Sequence, residues 1–217
     1  RKLVSDGNHP IPANCLVLMG DNRWGAQVDV GLVKSSNTQM TRIGLLLGPE
    51  RLRAHLDACA FGRRTGFDLG GPQFGESPGR LRPLNQWSVG SSIPSVCMGY
   101  EVQVTALQMV NSFNAIANGG KLMKPFVVRR VVAADGEVLY ERMPEVLGDT
   151  GLSETVTRTQ MNETLRRVVS AEGTAKGAAI TEYQLAGTIE KDVGGERKSY
   201  QFVRADRMSS KDDLISL

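Results

Sequence analysis

The sequence predicts an α+β fold in which helices come first and strands gather late. Three observations carry this. Apolar residues recur at helical spacing after Ser36 and again after Pro49. A Thr-x-x-Gln capping box at Thr105–Gln108 precedes another helical run. Strand-like runs cluster beyond residue 127, with no alternation of strand and helix of the kind that builds a parallel sheet.

Taken in order, residues 1–33 read as irregular, punctuated by Gly7-Asn8 and Gly20-Asp21-Asn22. A first helix is expected from about Ser36 to Leu47, with Met40, Ile43, Leu46 and Leu47 inward. Gly48 should end it, and Pro49 with Glu50 should open the next, which places Leu52, Leu56, Cys59 and Ala60 on one face. Residues 62–95 are Gly/Pro-rich and read as a long connection, functional or unstructured, partly packed down by Phe74 and Trp87. The helix after Thr105 should bury Ala106, Met109, Val110, Phe113, Ile116 and Ala117, and Gly119-Gly120 should close it. A hairpin is expected from Val127 to Tyr140 around Ala134-Asp135-Gly136-Glu137. A helix from Ser153 to Val169 should face Met161, Leu165, Val168 and Val169 inward, and strands follow at 183–189 and 199–204.

Composition excludes several classes. The net charge of +3 is mild and the basic pairs Arg63-Arg64, Arg129-Arg130 and Arg166-Arg167 lack interleaved aromatics, so no nucleic-acid partner is expected. Cys15, Cys59 and Cys97 form no C-x-x-C, and His9 lies far from His55, so neither a metal site nor any other cofactor is expected. The odd cysteine count argues against a disulfide framework. No apolar run reaches transmembrane length.

The chemistry-bearing element is Lys34-Ser35-Ser36-Asn37-Thr38. Locally it has the composition of a helix N-cap. Set among Gly66-Phe67-Asp68-Leu69, the run Gly99–Gln108, Ala117-Asn118-Gly119-Gly120, Pro125, Gly173-Thr174-Ala175 and Leu185-Ala186-Gly187, it resembles the Ser-x-Asn element of penicillin-binding transpeptidases, in particular the monofunctional class B enzymes. The resemblance spans roughly residues 30–191. It implies the penicillin-binding and β-lactamase-like fold, an antiparallel sheet flanked by helices, incomplete at both ends. It implies a D,D-transpeptidase that cross-links peptidoglycan stem peptides through a serine acyl-enzyme, and that binds β-lactams. Ser35 would then relay a proton to the leaving nitrogen, and Asn37 would hold the substrate amide. Cell-wall elongation or division proteins would be partners. The site would lie on the outer side of a bacterial cell membrane, anchored by an upstream segment.

Two catalytic elements of that family are missing. No serine in the chain has a lysine three positions later, and neither Lys-Thr-Gly nor Lys-Ser-Gly occurs. Gly187 runs directly into Thr188-Ile189-Glu190-Lys191, as though Lys-Thr-Gly had been deleted. Losing an odd number of strand residues turns every later side chain to the other face unless a bulge absorbs it. Restoring the element is therefore expected to restore register and raise stability. Lys191 reads as an exposed loop residue rather than a substitute cation.

Gln108 is assigned to the capping box, Asn118-Gly119-Gly120 to a helix-ending turn, and Tyr100 and Glu101 to a strand-to-helix lead-in. Ser91, Ser92 and Ser95 carry little weight as nucleophiles. The partial transpeptidase domain is expected to run from 1 to 203, and residues 204–217 to form a poorly packed polar tail. The chain as it stands is not expected to turn over substrate. Two other readings remain: a degenerate non-catalytic scaffold module of the same family, and a β-lactamase or sensor of the same fold.

Overall fold

A computed structural model describes residues 28–67, 75–88, 90–179, 185–191 and 198–204. Asp68, Leu69, Phe74, Cys15, His9 and residues 205–217, on which several expectations rest, lie outside the described residues.

The N-terminal region is not wholly irregular. Val28–Val33 forms a short helix, α1, before the chain turns at Lys34-Ser35 into α2, Asn37–Ala58. The α2 N-cap is Ser36, whose hydroxyl accepts the Gln39 N–H at 3.1 Å. Within α2, Gly48 breaks the helical path with φ +78° and ψ 163°, and Pro49 restarts it. The two helices expected from sequence are therefore present as one kinked element, bent where glycine tolerates a positive φ and proline needs no N–H donor.

The described parts of the Gly/Pro-rich stretch are tied down by specific contacts. Trp87 donates its indole N–H to the Arg82 carbonyl at 3.1 Å. α3, Ser92–Cys97, buries Ser92, Ile93, Pro94, Ser95 and Val96 and packs on α2. A Cβ on Gly44 would lie 2.1 Å from Cys97 Sγ and 3.1 Å from Ile93 Cγ2, so the bare glycine of α2 sets the closeness of that crossing.

α4, Ala106–Ala117, starts with the expected capping box: Thr105 Oγ1 accepts the Gln108 N–H at 3.1 Å, and Gln108 Oε1 accepts the Thr105 N–H at 2.8 Å. Thr105→Ala should lower stability by about 1 kcal/mol. Chemical unfolding of the two proteins measures this directly, and equal midpoints would remove the cap from the account. The inward face of α4 differs from the apolar stripe expected. Phe113, Ile116 and Ala117 do pack on Leu165, but Val110 is 40% exposed. The fully covered positions are Gln108, Asn111 and Ala115. They sit at helical spacing and form a second, mostly polar stripe that apolar periodicity cannot reveal. Gly119 and Gly120 close the helix at φ +71° and +97°, as expected.

Among the described residues the strands pair antiparallel. β1 (Arg80–Leu81) pairs with β2 (Val102–Gln103), β3 (Lys121–Met123) with β6 (Val146–Asp149), and β4 (Arg130–Val132) with β5 (Val138–Glu141). The β4–β5 pair is the hairpin expected around Ala134–Glu137, and Val131, Val132, Val138, Leu139 and Tyr140 on it are exposed. A π-helical turn, Val156–Met161, leads into α5, Asn162–Val169, where Leu165, Val168 and Val169 are buried.

β7 (Leu185–Lys191) and β8 (Lys198–Arg204) close the described chain as an antiparallel pair laid against α5. Their register runs from Leu185↔Arg204 to Lys191↔Lys198 without a shift. No bulge marks the point after Gly187 where residues would have been lost. The ladder, in which every residue from Leu185 to Lys191 already has its partner, removes the reason to expect that reinsertion would stabilise the strand.

One of several core clusters among the described residues lies between α1, α4 and α5. Leu165 collects Leu32, Phe113, Ile116, Ala117 and Met161 around it. Val33, Val168 and Ala175 form a separate buried cluster. That cluster lies under the Lys34-Ser35 turn and anchors it to the end of α5.

Candidate functional site

The Ser-x-Asn element divides its duties among its residues. Ser36 is fully buried and caps α2. Asn37 is the first helical residue and is half-buried. Ser35 is exposed and takes φ +52°, a left-handed conformation rare for serine. Such strain persists only where surroundings hold it, and three bonds on one side of the turn do so. The Ser35 and Thr174 hydroxyl oxygens share a hydrogen bond at 3.0 Å. The Thr174 N–H donates to the Val33 carbonyl at 3.3 Å. The Lys34 ammonium donates to the Glu172 carbonyl.

The residues that reach Ser35 come from the turn after α5, and Gly173 is what lets that turn form. A Cβ there would lie 1.9 Å from the Val168 carbonyl oxygen. The tight path lets the Ala175 N–H reach the Val168 carbonyl at 3.0 Å and presents Thr174 to the Ser35 turn. Gly173-Thr174-Ala175 was visible in the sequence as a motif, but its contact with Ser35, 139 positions away, was not.

A charged cluster braces the same junction. Arg167 binds Asp29 of α1 at 2.5 Å and Glu172 at 2.8 Å. The Arg167 hydrogen bond is the main cause that holds each of these carboxyls below its usual range, with lesser help from the Val30 backbone at Asp29 and from the charge of Lys34 at Glu172. The same pair of carboxylates raises Arg167 further above its ordinary value, Glu172 more than Asp29. The site rim is therefore ionised at neutral pH, with Lys34 adding positive charge beside Ser35.

Other candidates fall away on geometry. Gln108, with no exposed surface, is a structural clamp: its Nε2 reaches the carbonyls of Arg63 at 2.7 Å, Pro78 at 2.9 Å and Ala60 at 3.3 Å. Ser92 and Ser95 are buried in α3, and Ser92 does have a basic neighbour in space, since its hydroxyl accepts from Arg82 at 2.8 Å. That contact engages the hydroxyl as an acceptor and supplies no proton-abstracting group. Glu101, at φ +62°, also binds Arg82, at 2.5 Å. Burial pushes the Cys97 thiol up to about 11 and also raises Cys59, so neither is a thiolate nucleophile at neutral pH.

The sequence matches the family model described as the penicillin binding protein transpeptidase domain over residues 20–188. This chain belongs to that family. It is 35% identical over 160 residues to the penicillin-binding protein PbpB of Mycolicibacterium smegmatis, covering 71% of this chain and 24% of that protein. It is 30% identical over 194 residues to the stage V sporulation protein D of Bacillus subtilis, covering 88% of this chain and 28% of that protein. Among solved structures it is similar to penicillin binding protein 3 of Mycobacterium tuberculosis in complex with ampicillin, with a TM-score of 0.66, 30% identity and coverage of 83% of this chain and 42% of that one. These relatives place the chain with the class B transpeptidases, and the α+β expectation holds with them. The chain spans about a quarter of the length of the two named relatives.

A second family model, described as transcriptional activator HlyU, matches residues 167–217, less than half of the chain. No helix among the described residues is long and apolar enough to cross a membrane.

Proposed function

We propose that this chain supplies the Ser-x-Asn wall of a class B peptidoglycan D,D-transpeptidase site, and that its ligands are stem peptides and the β-lactams that mimic them. The observation that carries the reading is the Ser35 turn. An exposed serine is held at positive φ beside a lysine, with Asn37 two residues on at the head of α2. In this role Ser35 passes a proton toward the leaving nitrogen, and Asn37 donates its amide to the substrate carbonyl. The whole protein's place would be the outer side of a bacterial membrane, among proteins of wall elongation or division.

Acyl transfer also needs a nucleophile and a general base, and the chain contains no Ser-x-x-Lys to supply them. Incubation with a fluorescent penicillin should leave no label that survives denaturing electrophoresis. A stable label mapped to Ser35 would show that this serine is itself a nucleophile and would overturn the role given to it.

We also propose that the transpeptidase part ends within β7. The transpeptidase family model stops at Thr188, directly after the Gly187 where the Lys-Thr-Gly pattern fails, and the second family model continues to the end, while the match to the sporulation protein, at 88% of the chain, also runs a little past Thr188. The β7–β8 ladder is regular across that point. A change of family there accounts for the missing element without a deletion inside one strand. It would put the boundary near 188 in place of the expected 203. The second family's printed role does not transfer with it. Residues 189–217 carry six basic and six acidic side chains, which provide no net attraction to phosphate.

A further inference from the structure

We propose that Thr174 is a positioning residue for Ser35, fixing the direction in which the Ser35 hydroxyl meets the ligand. The proposal rests on the reading of Ser35 given above. A serine hydroxyl rotates freely about its C–O bond and offers one donor and two lone pairs. At φ +52° the Ser35 backbone is set, yet its exposed hydroxyl would still sample several orientations in water. Among the described residues, the side-chain partner of that hydroxyl is Thr174 Oγ1 at 3.0 Å.

Thr174 is itself well placed to direct a neighbour. As a β-branched residue it has restricted rotation about χ1. Its backbone N–H is tied to Val33, the residue two before Ser35. On its other side, Ala175 is buried with Val33 and Val168, and its N–H is bonded to the Val168 carbonyl. Gly173 cannot be replaced without collision with the Val168 carbonyl. The Thr174 hydroxyl is thus held by a rigid turn, and it occupies one hydrogen-bonding position of Ser35, leaving the others for ligand. A site whose polar groups are set before the ligand arrives loses less entropy on binding.

The test is an equilibrium titration of the full chain with ampicillin, read from backbone amide resonances, for wild type, Thr174→Ser, Thr174→Val, Ser35→Ala and the Ser35→Ala/Thr174→Val double variant. Thr174→Val keeps shape and removes the hydroxyl. It should weaken binding by about fivefold, the effect of losing one hydrogen bond of ordinary net strength. Thr174→Ser should bind within about twofold of wild type, because the hydroxyl is retained. In the Ser35→Ala background, Thr174→Val should have no further effect on affinity, whatever it does to the melting temperature. Wild-type affinity in Thr174→Val, or an undiminished loss in the Ser35→Ala background, would overturn the positioning role while leaving the proposed function standing. Absence of ampicillin binding by wild type would overturn the proposed function, and this inference with it.

Discussion

Gln108→Leu should cost the fold about 4 kcal/mol or more, a large part of the total stability of an ordinary domain. The side chain is completely covered and its two polar ends serve four backbone groups. Oε1 accepts from the Thr105 N–H, and the two N–H groups of Nε2 are divided among the carbonyls of Arg63, Pro78 and, at the longest distance, Ala60. Leucine satisfies none of them, and each buried group left unpaired costs about 1–3 kcal/mol. The clamp also fixes a glycine, since a Cβ on Gly79 would lie 3.0 Å from Gln108 Oε1 and 2.3 Å from the Gln103 carbonyl. Gln108→Glu keeps the acceptor for Thr105 but turns a carboxylate oxygen toward three carbonyls, so it should be no milder than leucine. Urea unfolding of the three proteins measures the effect. A Gln108→Leu midpoint within about 1 kcal/mol of wild type would mean that the clamp is not formed in solution.

Inserting Lys-Thr-Gly between Gly187 and Thr188 should lower stability rather than raise it. The β7–β8 ladder pairs every residue from Leu185 to Lys191 with its partner from Arg204 to Lys198. Three added residues force Thr188–Lys191 either out of pairing or onto opposite faces. The loss of several cross-strand pairs at about 0.2–1 kcal/mol each, with the ladder bonds between them, should reach about 2 kcal/mol. Scanning calorimetry of the inserted and wild-type chains decides between the two origins of the gap. A higher midpoint in the inserted chain would favour a true deletion and restore the family strand. A lower one fits a junction between families.

Local chemistry was the most legible part of this chain. The Thr105–Gln108 box, the Gly48-Pro49 break and the turn at Ala134–Glu137 depend on bonds between near neighbours, and the sequence carries them directly. The apolar stripe on α5 was equally plain, because Leu165, Val168 and Val169 recur at helical spacing and are all buried. What stayed hidden depends on bonds across long separations. Half of Gln108's role lies in reaching carbonyls 30 to 48 positions away. Ser92 and Ser95 read as loop residues because α3 is short, rich in serine and opened by a dipeptide that usually marks turns. Ser35 and Asn37 were singled out as candidates through the order of surrounding motifs, since the local pattern alone spells only a cap. The cap turned out to be Ser36. The contacts of Thr174, Glu172 and Arg167 with the Ser35 turn and α1 gave no signal, because nothing in a linear pattern brings the end of α5 to the start of α2.

In the proposed function the Ser35–Asn37 element is a ligand-facing wall that binds without acylating. One measurement tests it most directly: two-dimensional amide spectra of the isotopically labelled chain during titration with ampicillin, followed by intact-mass analysis of the same sample. Reversible shifts are expected at Val33–Thr38 and at Glu172–Ala175, with no shifts on the β4–β5 hairpin and an unchanged mass. Shifts that avoid Ser35 and Asn37, or a covalent ampicillin adduct on the chain, would contradict it.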